Sequence, residues 1–510
     1  MKNDTTPSFV IELELQLNRP QTHFVEKRMH AAINIYNDCL GEALRRMHKI
    51  RHDRRYQDLL KQYATLKRAG KDVKAVASQM KGIASYYGFT EYDMHAYVCT
   101  AKHHYGTLGI DECQKLASRA YKAVSKILYG DAKKVRFVPC GSAFSIEGKS
   151  IKSTLKYSGG RTIQFGKGHE LTFTLPKNER DYNYITTALM NRVKYIRVIG
   201  RDIRSRRRYF VQFIIEGYPP DRERVYGEFV PVGLDEGVST IAVSSDSGLR
   251  LYELAPDCQA DEKKLRRIQR AMDRSRKATN PQEYNPDGTV REQAHHWNKS
   301  NHYQKLQSKR KELYRQIAAK RKQSHEMLAN EILAFGTDIR VEQMYMKALA
   351  KRAKQTSKNK HGHFRSKKRY GKTIATRAPA MLISIIDRKL HYIGLCISPI
   401  NTWSLKASQY DHVTDTYHKK QLFDRIIQVG GETVQRDLYS AFLIQHTNLS
   451  AETITRSECI TDYPDFVTKC QSEITRIKQQ GSRHMQWYVR NNKKKSGSKT
   501  AELQSITHTA

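Results

Sequence analysis

Apolar and polar side chains alternate along residues 8–17 from Val10 onward, a period of two that predicts a half-buried strand. From about residue 24 the period lengthens, and Val25, Met29, Ala32, Ile33, Tyr36, Leu40 and Leu44 recur at helical spacing. Helical patterning continues to about 128, including 116–128, with breaks at Gly106 and Gly109, so residues 24–130 read as a helical lobe. Short strands punctuated by glycine follow at 136–138, 162–165, 171–175, 195–199 and 209–215. Together with strand 8–17 they predict one β-barrel into which the lobe is inserted. Pro219, Pro220 and the charged residues after them mark a boundary near 218–226.

Beyond that boundary strands and helices alternate. The apolar run around 232–243 and the strand 249–254, joined through Gly248, predict a hairpin. A basic helix is expected from about 300 to 334, then a short strand ending at Glu342, a basic loop at 351–373, a helix at 381–390 and a strand at 392–397. Asp437 is expected to cap a final helix reaching about 446. Residues 480–510 are polar and rich in Lys, Ser and Gly, a composition that predicts disorder.

Charge narrows the function classes. Lys and Arg number 90 against 51 Asp and Glu, a formal net charge of +39 with a pI near 9.8. Such an excess favours partners rich in phosphate. Membrane association is the competing reading, but mean hydropathy is -0.70 and no run approaches a spanning helix. The first residues lack the apolar stretch of a signal peptide, so a cytoplasmic location is expected. None of the eight cysteines forms a C-x-x-C pair, which argues against a thiolate zinc site; buried free thiols are expected.

Three carboxylates stand out against this background. Asp235 lies in Gly233-Leu234-Asp235-Glu236-Gly237-Val238, Glu342 ends Ile339-Arg340-Val341-Glu342, and Asp437 opens Asp437-Leu438-Tyr439-Ser440-Ala441. Each borders an element that reads as buried. They are roughly a hundred residues apart, so only a fold that gathers strand ends can unite them. United, they would offer the hard oxygen ligands that Mg²⁺ takes for phosphodiester hydrolysis. Taken singly, each has a plainer explanation: a turn residue, a solvated strand end and a helix cap.

The same segments resemble the transposon-encoded TnpB nucleases and their relatives, the compact type V CRISPR effectors. Residues 233–238 are similar to the first RuvC motif of that family, 339–344 to the second and 436–441 to the third, and the basic stretch 309–325 resembles the helix before the second motif. The resemblance implies a multidomain α+β fold. A β-barrel wedge (1–22 and 131–224) would hold an inserted helical recognition lobe (23–130). An RNase H-like (RuvC) α/β nuclease domain (225–446) would carry a degenerate zinc ribbon at about 396–434, followed by a basic, partly disordered tail (447–510). It further implies an RNA-guided DNA endonuclease with guide RNA and double-stranded target DNA as partners, Mg²⁺ or Mn²⁺ as cofactor, and Asp235, Glu342 and Asp437 as catalytic metal ligands. The chain departs from the pattern twice. Tyr439 and Ser440 replace the usual Asn-Ala, and the ribbon cysteines are missing. Asp411, His412, Asp415 and His418 could form a substitute metal site, although a loop without zinc is the simpler reading.

Basic segments supply candidate nucleic-acid contacts: Arg206 and Arg207 at an expected hairpin tip, Lys309, Arg310 and Arg321 on the basic helix, and Lys367, Lys368 and Arg369 in the 351–373 loop, where Phe364 and Tyr370 could stack on bases. A guided DNA-binding regulator without cleavage and a protein-only nuclease of RuvC fold remain as alternatives. Oligomeric state, including a homodimer, stays open.

Overall fold

The computed structural model describes residues 6–490, apart from 150–151, 221–225, 293–296, 343, 353–354, 356, 358–361, 363–369, 420–423 and 449–451. The chain divides into two compact units, Met1–Arg222 and Glu223–Ala510. Among the described residues no helix is long and apolar enough to cross a membrane.

The first unit opens with strand β1 (Ser8–Gln16), whose alternating residues Phe9, Ile11, Leu13 and Leu15 are buried. Helices α1 (Arg19–His52), α2 (Arg54–Arg68), α3 (Lys74–Tyr86), α4 (Glu91–Ala101) and α5 (Ile110–Leu128) follow. Asn18 caps α1 and exchanges hydrogen bonds with Gln21 in a capping box, which sets the point where strand period gives way to helix period. Strands β2 (Ser145–Glu147), β3 (Leu155–Gly159), β4 (Thr162–Phe165) and β5 (Glu170–Phe173), helix α6 (Glu179–Met190) and strands β6 (Val193–Ile203) and β7 (Arg206–Glu216) complete it. The seven strands form one antiparallel sheet in the order β2-β6-β7-β1-β5-β4-β3, curled into a half-barrel. A Cβ on Gly148 would lie 2.4 Å from the Leu155 carbonyl oxygen and 3.6 Å from that of Ile196, so the curl brings β3 round towards β6.

The predicted strand at 136–138 does not form. Val138 instead exchanges both of its backbone hydrogen bonds with the Asn37 side chain, a carboxamide standing in for a neighbouring strand. The turn between β6 and β7 places Arg204 and Ser205 at φ 48° and 64°, the paired left-handed geometry that suits a two-residue hairpin.

The second unit contains strands β8 (Pro231–Glu236), β9 (Thr240–Ser245) and β10 (Gly248–Glu253), helices α7 (Cys258–Thr279) and α8 (Asn301–Phe335), and strand β11 (Asp338–Glu342). Next come helices α9 (Met346–Leu349), α10 (Gly371–Arg377) and α11 (Pro379–His391), strand β12 (Ser398–Ile400) and helix α12 (Thr402–Leu405). Two small hairpins, β13 (Tyr410–Asp411) with β14 (Thr416–Tyr417) and β15 (Ile426–Val429) with β16 (Glu432–Gln435), lead to α13 (Arg436–Gln445), α14 (Arg456–Gln480) and α15 (Arg483–Tyr488). The main sheet has the order β10-β9-β8-β11-β12, with β8, β11 and β12 parallel and the β8-β9-β10 hairpins antiparallel. One face packs Val232, Leu234, Ile339 and Val341 against Leu328, Ile332, Leu382 and Ile386 of α8 and α11. The other packs Ala242, Leu249 and Leu251 against α13 and α14.

Three expectations need correction here. The apolar run 392–397 is no strand: Leu395 donates back to the Leu390 carbonyl and Gly394 adopts φ 77°, so the run ends α11 in a left-handed cap and the strand begins at Ser398. Asp437 does not cap α13. Gln435 does, accepting the Leu438 N–H at 2.7 Å, and Asp437 lies in the first turn. The expected basic tail from 447 begins as structure, because α14 buries Cys459, Phe466, Cys470, Ile474 and Ile477 in an amphipathic stripe. Residues 491–510 lie outside the described residues.

The segment 410–417 docks on α13. Tyr439 is wholly buried, and its hydroxyl meets the His412 backbone N–H at 3.2 Å and ring Nδ1 at 2.7 Å. Around them Tyr463, Phe442 and Phe466 complete an aromatic cluster. The first small hairpin is thus fastened to α13 by Tyr439. Burial depresses the His412 pKa to about 4, so the ring is neutral in the fold. An unfolded histidine titrates near 6.5. Between those values the unfolded chain binds more protons, so stability is present above pH ~6.5 and is lost as pH falls towards about 4. Thermal melts should show a fall of up to about 1.4 kcal/mol per pH unit through this window, and His412→Phe should flatten that part of the profile.

Candidate functional site

The parallel strands β8 and β11 pair in register from Asp338 and Pro231 to Val341 and Leu234. One residue further on stand Glu342 and Asp235, at the same edge of the sheet. The face each side chain takes follows from the pleat. A Cβ on Gly233 would lie 2.0 Å from the Ala441 carbonyl oxygen and 2.4 Å from the Gln445 nitrogen, so α13 rests directly on β8 at that point. Asp235, two residues on, shares the face. Arg340 donates to the carbonyls of Gln445, at 2.8 Å, and of Thr447, so it too faces α13, as does Glu342 two residues later. The start of α13 carries Asp437 towards the strand ends that Asp235 and Glu342 occupy.

The electrostatic surroundings of Asp235 agree with this placement. The Asp235 carboxyl is held well above the usual range, first by loss of hydration and then by the charges of Asp437 and Glu342, while Arg436 and Arg425 oppose the shift. Glu342 is 9% exposed; burial raises it too, against a hydrogen bond from the Ala407 backbone, and its Oε1 has no hydrogen-bond partner among the described residues. Asp437 is satisfied differently. Its Oδ1 accepts from Arg436 at 2.7 Å and its Oδ2 from Arg425 at 3.1 Å.

Neither arginine was singled out in the sequence. Arg436 adjoins Asp437 and could have been noticed; Arg425 has no local signal. Its guanidinium sits over the rings of Trp487, 4.8 Å from the centroid, and Tyr488, at 4.5 Å. Both rings come from α15, within the segment expected to be a tail.

A hard divalent cation suits this donor set in kind: one carboxyl raised by like charges and one buried carboxylate oxygen without a partner. Among the described residues, however, no three acidic, histidine or cysteine side chains are already grouped about one point. That includes the proposed substitute set. Asp411 accepts from the backbones of Val413 and Thr414, His412 is buried on Tyr439, Asp415 accepts from Tyr410, and His418 meets Thr416.

Beside the site, a cavity of about 470 Å³ is lined by Glu236, Glu342, Met344, Tyr345 and Asp387. Glu236 points away from Asp235 along the strand, and burial raises its carboxyl to about 7.

Several solved structures are similar to the chain, two of them as follows. One is a cryo-EM structure of the Cas12f1-sgRNA-target DNA complex, at 13% identity and a TM-score of 0.46, with 84% of this chain and 83% of that chain covered. The other is a cryo-EM structure of a CRISPR-Cas12f ternary complex, at 12% identity and a TM-score of 0.26, covering 84% and 82%. No family model and no curated protein matches the chain.

The candidate nucleic-acid residues divide into two groups. Arg207 is engaged internally, with Asp202 at 2.6 Å and the Gly141 and Ser142 carbonyls. Arg321 donates to the Ala375 and Thr376 carbonyls at the end of α10. Along the same helix Arg315 pairs with Glu312 and Lys320 with Asp261, so α8 has more acidic partners than its sequence neighbours supply. Arg206 and Lys309 are exposed and Arg310 is partly so. Lys367, Lys368, Arg369 and Phe364 lie outside the described residues.

Proposed function

We propose that the protein is an RNA-guided DNA endonuclease whose second unit is an RNase H-like (RuvC) nuclease domain, with Asp235, Glu342 and Asp437 as its catalytic metal ligands. The observation that carries this reading is that Asp235 and Glu342 end adjacent parallel strands beneath α13, whose first turn holds Asp437. A protein has little reason to crowd buried anions unless a cation completes them. The formal charge of +39 supports nucleic acid as the partner, and the motif resemblance supports a guide RNA that pairs with the target strand.

Asp235 and Glu342 would hold Mg²⁺, or Mn²⁺ in its place, with Asp437 joining them as its arginine pairs open. Bound metal would activate the attacking water and stabilise the leaving oxygen. Arg425 and Arg436 would then have donors for the non-bridging oxygens of the scissile phosphate. Water adds to phosphorus as the bond to the 3′ oxygen breaks. The products are a 5′-phosphate and a 3′-hydroxyl. The engagement of both Asp437 oxygens by arginine favours a second reading, a guided DNA-binding regulator without cleavage.

Sequencing the RNA that copurifies with the protein from cells carrying its native locus tests the guided part of the proposal. One dominant RNA with a constant scaffold and a variable end is expected. Heterogeneous cellular RNA, or none, would favour a protein-only nuclease.

A further inference from the structure

Arg425 directly precedes β15, and its carbonyl accepts the Arg436 N–H at 3.0 Å, one residue beyond the Ile426–Gln435 pair, so the hairpin fixes its backbone. The far end of its side chain is placed by another part of the chain. The Trp487 and Tyr488 rings stand at 88° to one another with centroids 5.1 Å apart, forming a corner in which the guanidinium sits. Among the described residues the Arg425 Nε has no acceptor, while its Nη1 donates to Asp437 Oδ2 at 3.1 Å, so one hydrogen bond and the two rings hold the guanidinium. The corner is itself pinned. The Tyr488 hydroxyl lies 2.9 Å from Ser239 Oγ, the His484 Nε2 lies 3.3 Å from the same oxygen, and Ser482 donates to Glu253 at 2.7 Å. Ser239 belongs to the turn directly after the Asp235 strand. One short helix thus touches the turn beside Asp235 and, through Arg425, the carboxylate of Asp437.

We propose that α15 is a latch that sets Arg425 on Asp437, with Trp487 and Tyr488 as positioning residues, and that this ion pair restrains the site's hold on a divalent cation. The proposal rests on the nuclease reading of the carboxylates. A guanidinium on Asp437 Oδ2 neutralises charge that a metal would otherwise use. The latch therefore weakens metal binding in the free protein and keeps a cationic donor beside the reacting phosphate. Loss of the latch has opposite effects on the two properties, whereas general loss of structure would lower both.

The test uses full-length protein and Mn²⁺ followed by its paramagnetic resonance signal, without RNA or DNA. Trp487→Leu keeps apolar volume and removes the ring face; Trp487→Phe keeps a ring. Trp487→Leu and Arg425→Ala are each expected to tighten Mn²⁺ binding by about threefold or more, and Trp487→Phe to stay near wild type. Trp487→Leu should add nothing in the Arg425→Ala background, because it acts through that residue. Guided cleavage at saturating Mg²⁺ should fall about tenfold in Trp487→Leu. Unchanged or weaker Mn²⁺ affinity in Trp487→Leu, additive effects of the two substitutions, or no Mn²⁺ binding by any variant would overturn the latch. Failure of wild-type protein to cut any guided target would defeat the nuclease reading while leaving the Mn²⁺ comparison to decide the latch.

Discussion

Asp235→Asn should lower cleavage of a guided DNA target by on the order of a thousandfold or more while leaving guide and target binding close to wild type. The reasoning runs from the strand outward. Asp235 shares a face with Gly233, and Gly233 lies against α13, so Asp235 is fixed by backbone packing rather than by flexible contacts. Its carboxyl is repelled by Asp437 and Glu342 and has lost hydration. A neutral isostere removes an anionic ligand that the other two cannot replace. The same change should raise the melting temperature of the metal-free protein. The folded pKa of Asp235 lies above its unfolded value, so its contribution to stability is full below the unfolded value and is lost as pH rises through the folded value. Loss of cutting with equal or higher thermal stability separates a chemical role from a folding defect. Cleavage that persists in this variant would remove Asp235 from the site.

Gly233→Ala should prevent the second unit from folding stably. A Cβ there would overlap the Ala441 carbonyl oxygen and the Gln445 backbone nitrogen, and both belong to main chain that cannot move without lifting α13 from β8. Overpacking against backbone of this kind costs at least about 3 kcal/mol, a large share of a domain's stability. The effect should reach the site as well, because α13 carries Asp437. Melting of the variant should therefore show an early transition for the second unit, with the first unit melting as in the wild type. A variant with unchanged melting would mean that α13 does not rest on β8 as described. Glycine at position 233 is accounted for by close helix–strand approach, not by an unusual backbone angle.

What the sequence made legible follows the physics of each segment. Strand 8–17 was readable because one face is buried and the period is plain, and the hairpin through Gly248 because an apolar run, wholly buried in β9, ends at a glycine turn. The helical lobe was readable for the same reason at the longer period. The stretch 136–138 misled because its extended backbone is satisfied by Asn37, a hundred residues earlier in the chain and invisible to local pattern. The stretch 392–397 misled because an apolar run can finish a helix as well as make a strand, and Gly394 decides between them. In α14 the polar majority concealed a stripe at Cys459, Phe466, Cys470, Ile474 and Ile477 that was present in the sequence.

The site divides in the same way. The three carboxylates could be picked out one by one, since each borders an apolar element. Their neighbours could not. Arg425 reaches Asp437 across the β15–β16 hairpin that leads into α13 and is held by rings some sixty residues further along, a relation only tertiary structure supplies. The loss of ribbon cysteines and the change to Tyr439 looked like two separate departures in the sequence. The His412–Tyr439 contact joins the two positions in one aromatic cluster.

The central claim is tested most directly by incubating the protein, loaded with its copurifying RNA, with two linear duplexes that differ only in whether they match the RNA's variable end. Each duplex should carry randomised flanking sequence and be tried with and without Mg²⁺. Cutting of the matched duplex alone, and only with Mg²⁺, is the expected result. Equal cutting of both duplexes would contradict guidance, and tight binding of the matched duplex without any cut would contradict catalysis.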